Sequence, residues 1–166
     1  MSISVRLLFI TVVLSLYSNI CFGSDINFER GIEAHVQGDY ASAHKFWEKS
    51  AFSGNNMASV NIGVAYLKGQ GVAQNYIEAM RWFKAAAVKG ELHSKHLIGE
   101  MYLKGQSVTT NKLTARMWFG ISLAQGNMLS KSFCNEIDAT LSESEKQQVK
   151  QVVDQCILNS FVGCHF

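Results

Sequence analysis

The sequence contains two closely similar segments at a fixed spacing of 36 residues. "NIGVAYLKGQGVAQNYIEAMRWF" begins at Asn61, and "LIGEMYLKGQSVTTNKLTARMWF" begins at Leu97. A period of about 20–50 residues is typical of repeat proteins, in which each unit is one supersecondary element that stacks on the next. The repeated segment therefore restricts the central part of the chain to a stacked-repeat architecture.

Each unit is predicted to contain two antiparallel helices, because its apolar residues recur with a helical period. In the middle unit the first helix is expected from Asn56 to Lys68, followed by a break at Gly69–Gly71. Asn75 is expected to cap the second helix, which ends at Gly90. Proline is absent from the chain. The predicted fold is all-α, a right-handed α-solenoid of antiparallel helix pairs.

The repeats are predicted within residues 24–126, with units at about 28–54, 55–90 and 91–126. The first unit has a tight turn at Gly38–Asp39 in place of the long loop. Residues 127–166 are predicted to form capping helices and a tail, and Ser142 and Glu145 match a capping box that opens the last helix. Its polar outer face suits the terminal cap of a solenoid.

Residues 1–23 are predicted to be a secretory signal peptide. Arg6 precedes an apolar stretch that begins at Leu7, and small residues occur near Gly23. Cleavage after Gly23 would place the mature chain in the periplasm or outside the cell. An uncleaved membrane anchor is the alternative, and a lipoprotein site at Cys21 is disfavoured by Ile20 before it.

Export would place the mature cysteines in an oxidising compartment, where they can pair. Cys134 aligns by the 36-residue spacing with apolar helix positions, so it is expected to be a buried core residue. A disulfide between Cys156 and Cys164 is predicted, and it would attach the C-terminal tail to the last helix.

Charge and motifs exclude several functional classes. The net charge is +2, with no basic run, so a nucleic-acid partner is not expected. There is no phosphate-binding loop, dinucleotide fingerprint or nucleophile elbow, and no cofactor or metal is expected. After signal cleavage no membrane contact is expected, and the oligomeric state is left open.

Some residues are of the same type at equivalent positions of the two units, and these are expected to have structural roles. They are Gly63, Tyr66 and Trp82 in the middle unit, and Gly99, Tyr102 and Trp118 in the third. Glycine inside a helix costs about 1 kcal/mol against alanine, so Gly63 and Gly99 are expected where a neighbouring helix crosses closely. The two tryptophans are expected to fill the space between successive helix pairs.

Other positions on the first helices change between the units. They are Met57, Val60, Asn61 and Val64 in the middle unit, and His93, His96, Leu97 and Glu100 in the third. Their spacing places each set on one helix face. In stacked helix pairs the first helices line the concave side, so this face is predicted to bind another protein or a peptide. The alternative is an ordinary solvated face.

Two constellations could carry chemistry. His93 and His96, with Glu100 one turn on, could face a metal, but the set lacks an obvious fourth ligand, and two surface histidines are expected instead. Ser42 and Lys45 match an S-x-x-K pattern without its companion motifs. Ser42 also lies in the first turn after Asp39, where serine is ordinary. No catalytic residue is therefore assigned.

The repeated unit resembles the Sel-one-like repeat (SLR) family, a relative of the tetratricopeptide repeat with a longer loop between its helices. The matching letters in the middle unit include Ala58, Gly63, Tyr66, Gly71 and Trp82. Ser107, where the family has glycine, departs from the pattern. The resemblance implies a scaffold or adaptor that mediates protein–protein interaction. Some cysteine-rich members of the family have been described as penicillin-binding or β-lactamase-like, so a hydrolase is the alternative function.

Overall fold

The computed structural model describes residues 25–159, which form eight α-helices. They are α1 (Ile26–Val36), α2 (Tyr40–Phe52), α3 (Asn56–Lys68), α4 (Tyr76–Val88), α5 (Leu92–Lys104), α6 (Lys112–Ala124), α7 (Ser130–Asp138) and α8 (Glu143–Leu158). No strand occurs in this range, and within it no helix combines the length and apolar character that crossing a bilayer requires. The predicted signal peptide and Cys164 lie outside the described residues.

The first six helices form three hairpins that stack in sequence order. α1 packs on α2, α3 on α4 and α5 on α6, and contacts of α2 with α3 and of α4 with α5 join successive hairpins. The predicted local signals set the helix ends. At the start of α4, the side chain of Asn75 accepts hydrogen bonds from the backbone N–H groups of Ile77 and Glu78. At the end of α3, Gly69 adopts the left-handed conformation with φ 70°.

Glycine and an aromatic ring meet inside each hairpin. A Cβ atom at Gly63 would lie 2.5 Å from Cε1 of Phe83, and one at Gly99 would lie 2.9 Å from Cδ1 of Phe119. The first hairpin repeats this contact between Gly31 and Trp47, where the distance would be 2.3 Å. A side chain at these glycines would displace a buried ring, which explains why glycine occurs inside these helices despite its cost.

The two repeated tryptophans differ in burial. Trp118 is 7% exposed and belongs to a central core cluster that includes Met80 of the second hairpin and Ile98 of the third. Trp82 is only partly buried, and it packs against a cluster that includes Trp47 of the first hairpin and Ile62 of the second. Each tryptophan therefore contacts a cluster that spans two hairpins.

The long loops are attached to the first helix of their own hairpin. The backbone N–H of Asn75 donates to the carbonyl of Tyr66 at 2.9 Å, and Asn111 donates to Tyr102 at 3.0 Å. Gly71 has φ 76°, and a Cβ there would lie 2.2 Å from the carbonyl oxygen of Tyr40. Ser107 adopts the same left-handed conformation, with φ 66°, which is unfavourable for a residue other than glycine.

The two C-terminal helices both pack against α6. Phe119 of α6 meets Cys134 and Ile137 of α7 in one cluster, and Ile121 meets Val153 of α8 in another. The expectation that Cys134 is a core residue is confirmed, because it is 2% exposed and its thiol is free. Burial raises the pKa of this thiol, which keeps it protonated and unreactive.

A bidentate ion pair joins α6 to α7. Arg116 donates from Nε and a terminal nitrogen to the two carboxylate oxygens of Asp138, at 2.7 and 2.8 Å. The predicted capping box of α8 is present, with Ser142 and Glu145 satisfying each other's backbone N–H groups. Cys156 is buried on α8, and its predicted pairing with Cys164 stays a prediction.

Candidate partner-binding surface

One narrow stripe of α3 is left uncovered by the stack. Six of the 13 residues of α3 are buried, and the helix packs on α4 within the same hairpin and on α2 before it. Of the exposed or half-buried positions, four recur at helical spacing along one side: Met57, Asn61, Val64 and Lys68. Each of these side chains keeps part of its surface open to a partner.

The equivalent stripe of α5 consists of His93, Leu97, Glu100 and Lys104. These residues are exposed or half-buried, while the remaining middle positions of the helix are buried. We call the α3 and α5 positions together the exposed stripe. It combines half-buried apolar groups at Val64 and Leu97 with polar and charged groups at either end, as protein-binding surfaces do.

The structure therefore divides the predicted partner-binding set in two. The exposed stripe contains Met57, Asn61, Val64, His93, Leu97 and Glu100. The remaining two residues, Val60 and His96, are buried, with 5% and 7% exposed, and their assignment to an open face was wrong. Both occupy the helix position that faces the next element of the stack. Val60 joins the central cluster, and His96 meets α7.

His96 takes part in a buried polar network between α5 and α7. Its Nδ1 lies 2.9 Å from the hydroxyl of Ser130, and its Nε2 lies 3.2 Å from the carboxylate of Glu100. The ring also contacts Phe119 and Phe133, with centroid separations of 5.2 Å in both cases. With a proton on Nε2, the imidazole donates to Glu100 and accepts from Ser130, so both ring nitrogens are satisfied.

Glu100 is the ionised end of this network. The hydrogen bond from His96 lowers the pKa of Glu100 to about 2, and the hydrogen bond and charge of Lys104 act in the same direction against burial. The order Ser130, His96, Glu100 resembles a catalytic triad in composition only, since the Ser130 hydroxyl is fully buried and no substrate can reach it. The network therefore connects α5 to α7 and has a structural role.

The structure gives no support to a metal site on α5. His93 is exposed and lies 3.7 Å from the carboxylate of Glu91, whereas His96 is buried at the joint with α7. Among residues 25–159, no three histidine, cysteine or carboxylate side chains cluster as metal ligands. The expectation of two surface histidines holds for His93 and is wrong for His96, because the sequence did not show that α7 covers it.

Ser42 takes part in capping the start of α2. Its backbone N–H donates to the Asp39 carboxylate at 3.0 Å, and hydrogen bonding from Ser42 lowers the pKa of that carboxyl. Lys45 is exposed three residues further along the helix. This is ordinary helix capping, and it gives the hydrolase hypothesis no support.

The exposed stripe continues at Leu129, which caps the start of α7, and within α7, and the sequence-based prediction missed this. Leu129, Phe133 and Glu136 lie 36 residues after His93, Leu97 and Glu100, and all three are exposed or half-buried. The 36-residue spacing that aligns Cys134 with Ile98 also aligns these three residues with the stripe of α5. The loss of the glycine loop and the tryptophan after Gly126 concealed this alignment.

A second buried histidine lies at the joint between the first two hairpins. His44 of α2 is 6% exposed and packs edge-on against Tyr66 of α3, with ring centroids 5.4 Å apart. Its Nε2 is buried without a hydrogen-bond partner among the described residues, and its Nδ1 lies 3.7 Å from Glu48. Burial lowers the pKa of His44, which Glu48 opposes only in part.

We expect this histidine to reduce stability in weak acid. Since the pKa of His44 is lower in the folded state than the unfolded value of about 6.5, the unfolded chain binds the proton more readily as pH falls below that value. Urea unfolding at pH 7 and pH 5 should show a larger loss of free energy of unfolding for the wild type than for His44→Leu.

The comparison of the wild type with His44→Leu tests His44 alone. Both proteins contain Glu100, and its contribution to stability is lost at a lower pH than that of His44. The lowered pKa of Glu100 stabilises the fold above about 4.5, and that stabilisation disappears as pH falls towards about 2. Parallel losses for the wild type and His44→Leu between pH 7 and pH 5 would contradict the assignment.

A sequence model of the family described as Sel1 repeat matches three segments of the chain, at residues 26–55, 56–90 and 93–127. Each segment contains one of the three hairpins. No curated protein matches the sequence.

Two solved structures are similar to this chain. A protective antigen of uropathogenic Escherichia coli strains, displaying an SLR fold, superposes with a TM-score of 0.74 and 24% identity. The match covers 81% of this chain and 30% of that one, and it shows the fold alone. A Sel1 repeat protein from Oxalobacter formigenes has a TM-score of 0.58 and 26% identity, over 75% of this chain and 97% of that one.

Proposed function

Because the chain belongs to the Sel1 repeat family, whose repeats commonly mediate protein–protein interaction, we propose that it is an exported, non-enzymatic adaptor. It binds another protein or an extended peptide along the exposed stripe. Export is supported by the signal-peptide pattern of residues 1–23.

The observation that carries this proposal is the contrast within α3 and α5. Six of the 13 residues of each helix are buried, and the exposed stripe differs between the two helices at Met57/His93, Asn61/Leu97 and Val64/Glu100. The hydrogen bond to His96 accounts for Glu100, whereas packing does not account for the difference at Met57/His93. In a curved solenoid the first helices of the hairpins line the extended inner surface that such proteins use for binding.

The partly apolar centre of the exposed stripe suits a partner that contributes apolar anchors. Val64 and Leu97 are half-buried and pack beneath against the central cluster, so they are held in place before a partner arrives. Preorganised side chains lose little conformational entropy on binding, which favours affinity. The charged groups of Glu100 and Lys104 would then contribute to the polar rim.

The proposal is tested with the chain that begins at Ser24, immobilised and exposed to an extract of the exporting bacterium. A captured partner is identified, purified and titrated against the wild type and the triple variant Met57→Asp, Asn61→Arg, Leu97→Asp. We expect the triple variant to bind at least roughly tenfold more weakly, since new charges would face the partner's apolar anchors.

A matched control carries Lys45→Asp, Lys84→Asp and Ala85→Asp, which are exposed positions on the second helices. It should retain wild-type affinity, and circular dichroism should show both variants folded. Equal affinity for the wild type and the stripe variant would remove the exposed stripe as the binding surface.

A further inference from the structure

The two ends of the helical stack differ in their exposed apolar side chains. The short turns 53–55, 89–91 and 125–129 join one hairpin to the next element at one end, which we call the short-turn end. The opposite end carries the loops 37–39, 69–75 and 105–111. Because successive helices are antiparallel, the carboxyl ends of α2, α4 and α6 all lie at the short-turn end.

Exposed apolar side chains concentrate at the short-turn end. Phe52 and Val88 are the last residues of α2 and α4, and they are 87% and 80% exposed. The further members are Ile26, Met57, Met128 and Leu129, all exposed large hydrophobic residues at the starts of first helices or in the turns. Isolated exposed apolar residues are normal, but a row repeated from hairpin to hairpin indicates an interaction surface.

Both termini of the described chain lie at this end. The Asp25 carboxylate accepts hydrogen bonds from Ser50 and from Asn55, at 3.0 Å for the latter, which fixes the start of α1 beside the end of α2. A groove between α6 and α8 is lined by Ala124 and Ile157, so α8 also ends here, and its exposed Ile157 and Leu158 extend the apolar row.

Three lysines without an ion pair lie among these apolar groups, together with one accessible carboxylate, that of Glu48, which lies 3.7 Å from His44. Lys49, Lys89 and Lys131 are exposed, and none of them forms an ion pair with another described residue. The nearby carboxylates of Asp25 and Glu91 are turned towards the backbone N–H groups of the helices that they cap. The exposed carboxylate of Glu29 lies one turn further into the stack.

We infer that the short-turn end docks on the surface of an anionic lipid bilayer. Interfacial binding depends on apolar side chains that reach the headgroup boundary and on basic residues that attract anionic lipids, and this end presents both. Because anionic headgroups attract the unpaired lysines that accompany the apolar row, a bilayer is favoured over a second protein.

This inference is independent of the proposed adaptor function, and it departs from the sequence-based expectation of no membrane contact after cleavage. The exposed stripe runs along the helices, whereas the apolar row lies at their ends, and of the stripe residues on α3 and α5 only Met57 belongs to both. A bilayer at the short-turn end would leave most of the stripe accessible to a partner, so the two activities can be tested separately.

The test is cosedimentation of the chain from Ser24 with vesicles of phosphatidylethanolamine and phosphatidylglycerol, or of phosphatidylcholine alone. This chain contains all eight described helices and their core. We expect binding to the anionic vesicles that weakens with added salt, and much weaker binding to phosphatidylcholine. The variant Phe52→Ser, Val88→Ser should lose roughly tenfold or more in vesicle affinity.

The matched control is Val36→Ser, Ile77→Ser, which removes residues 80% and 65% exposed at or near the opposite end and should bind as the wild type does. A third variant, with Lys49, Lys89 and Lys131 changed to glutamine, should lose the preference for anionic vesicles. All four residues changed to serine are largely solvated, so circular dichroism should show folded proteins.

Several results would overturn the inference. One is an absence of binding to the anionic vesicles, and another is an equal loss in the serine variants of the two ends. A third is lipid-independent dimerisation, detected by analytical ultracentrifugation and abolished by Phe52→Ser, Val88→Ser, without vesicle binding. That result would assign the apolar row to a second copy of the chain.

Discussion

Replacing Phe83 with alanine is expected to lower the free energy of unfolding by about 3–5 kcal/mol. The ring is fully buried in the central cluster, and it lies against Gly63, where no other side chain can fill the space that it leaves. Deletion therefore removes apolar burial and also creates a cavity. Urea denaturation followed by far-ultraviolet circular dichroism measures the change.

Phe52→Ala is the control for this substitution. It removes the same side chain from a site that is 87% exposed, so the free energy of unfolding should change by no more than about 0.5 kcal/mol. Similar changes for Phe83→Ala and Phe52→Ala would show that the ring beside Gly63 does not hold the second hairpin together.

Trp118→Ala is the second large effect, also expected at about 3–5 kcal/mol. Trp118 is 7% exposed within the cluster that joins the second and third hairpins, so its removal weakens the joint as well as the helix. In a stacked-repeat protein, stability depends on these nearest-neighbour interfaces. The unfolding transition should also become less cooperative, visible as a lower m-value.

The equivalent Trp82→Ala is expected to cost less than Trp118→Ala, because Trp82 is only partly buried. Sequence comparison places the two residues at the same repeat position and predicts the same cost for both. Urea denaturation of the two variants under the same conditions decides between these expectations, and equal losses would favour the sequence-based one.

Features that depend on residues close together in the chain were predicted well. The helix α3 runs from Asn56 to Lys68 as expected, Asn75 caps α4, and Ser142 with Glu145 forms the capping box of α8. Each of these follows from a hydrophobic period or from a cap that acts within one helical turn. The 36-residue period predicts that these helices form stacked hairpins, and this fold class is correct.

The candidate site was predicted only in part, and the misses share one cause. Val60 and His96 vary between the repeats, and the prediction equates such variation with freedom from packing. They vary because their neighbours differ: the central cluster surrounds Val60, whereas Ser130 and Phe133 of α7 surround His96. Positions that vary between repeats therefore occur in two places, on an open surface and at a joint between unlike units, and variation alone does not distinguish them.

The sequence by itself determined the number and type of the repeated hairpins, the places where their helices begin and end, and the burial of Cys134. Only the tertiary structure decided that α7 covers His96, that both C-terminal helices pack on α6, and that Phe52, Val88 and Ile26 lie together at one end. Helix period and capping act between residues a few positions apart, whereas the covering of a helix face depends on residues more than thirty positions away.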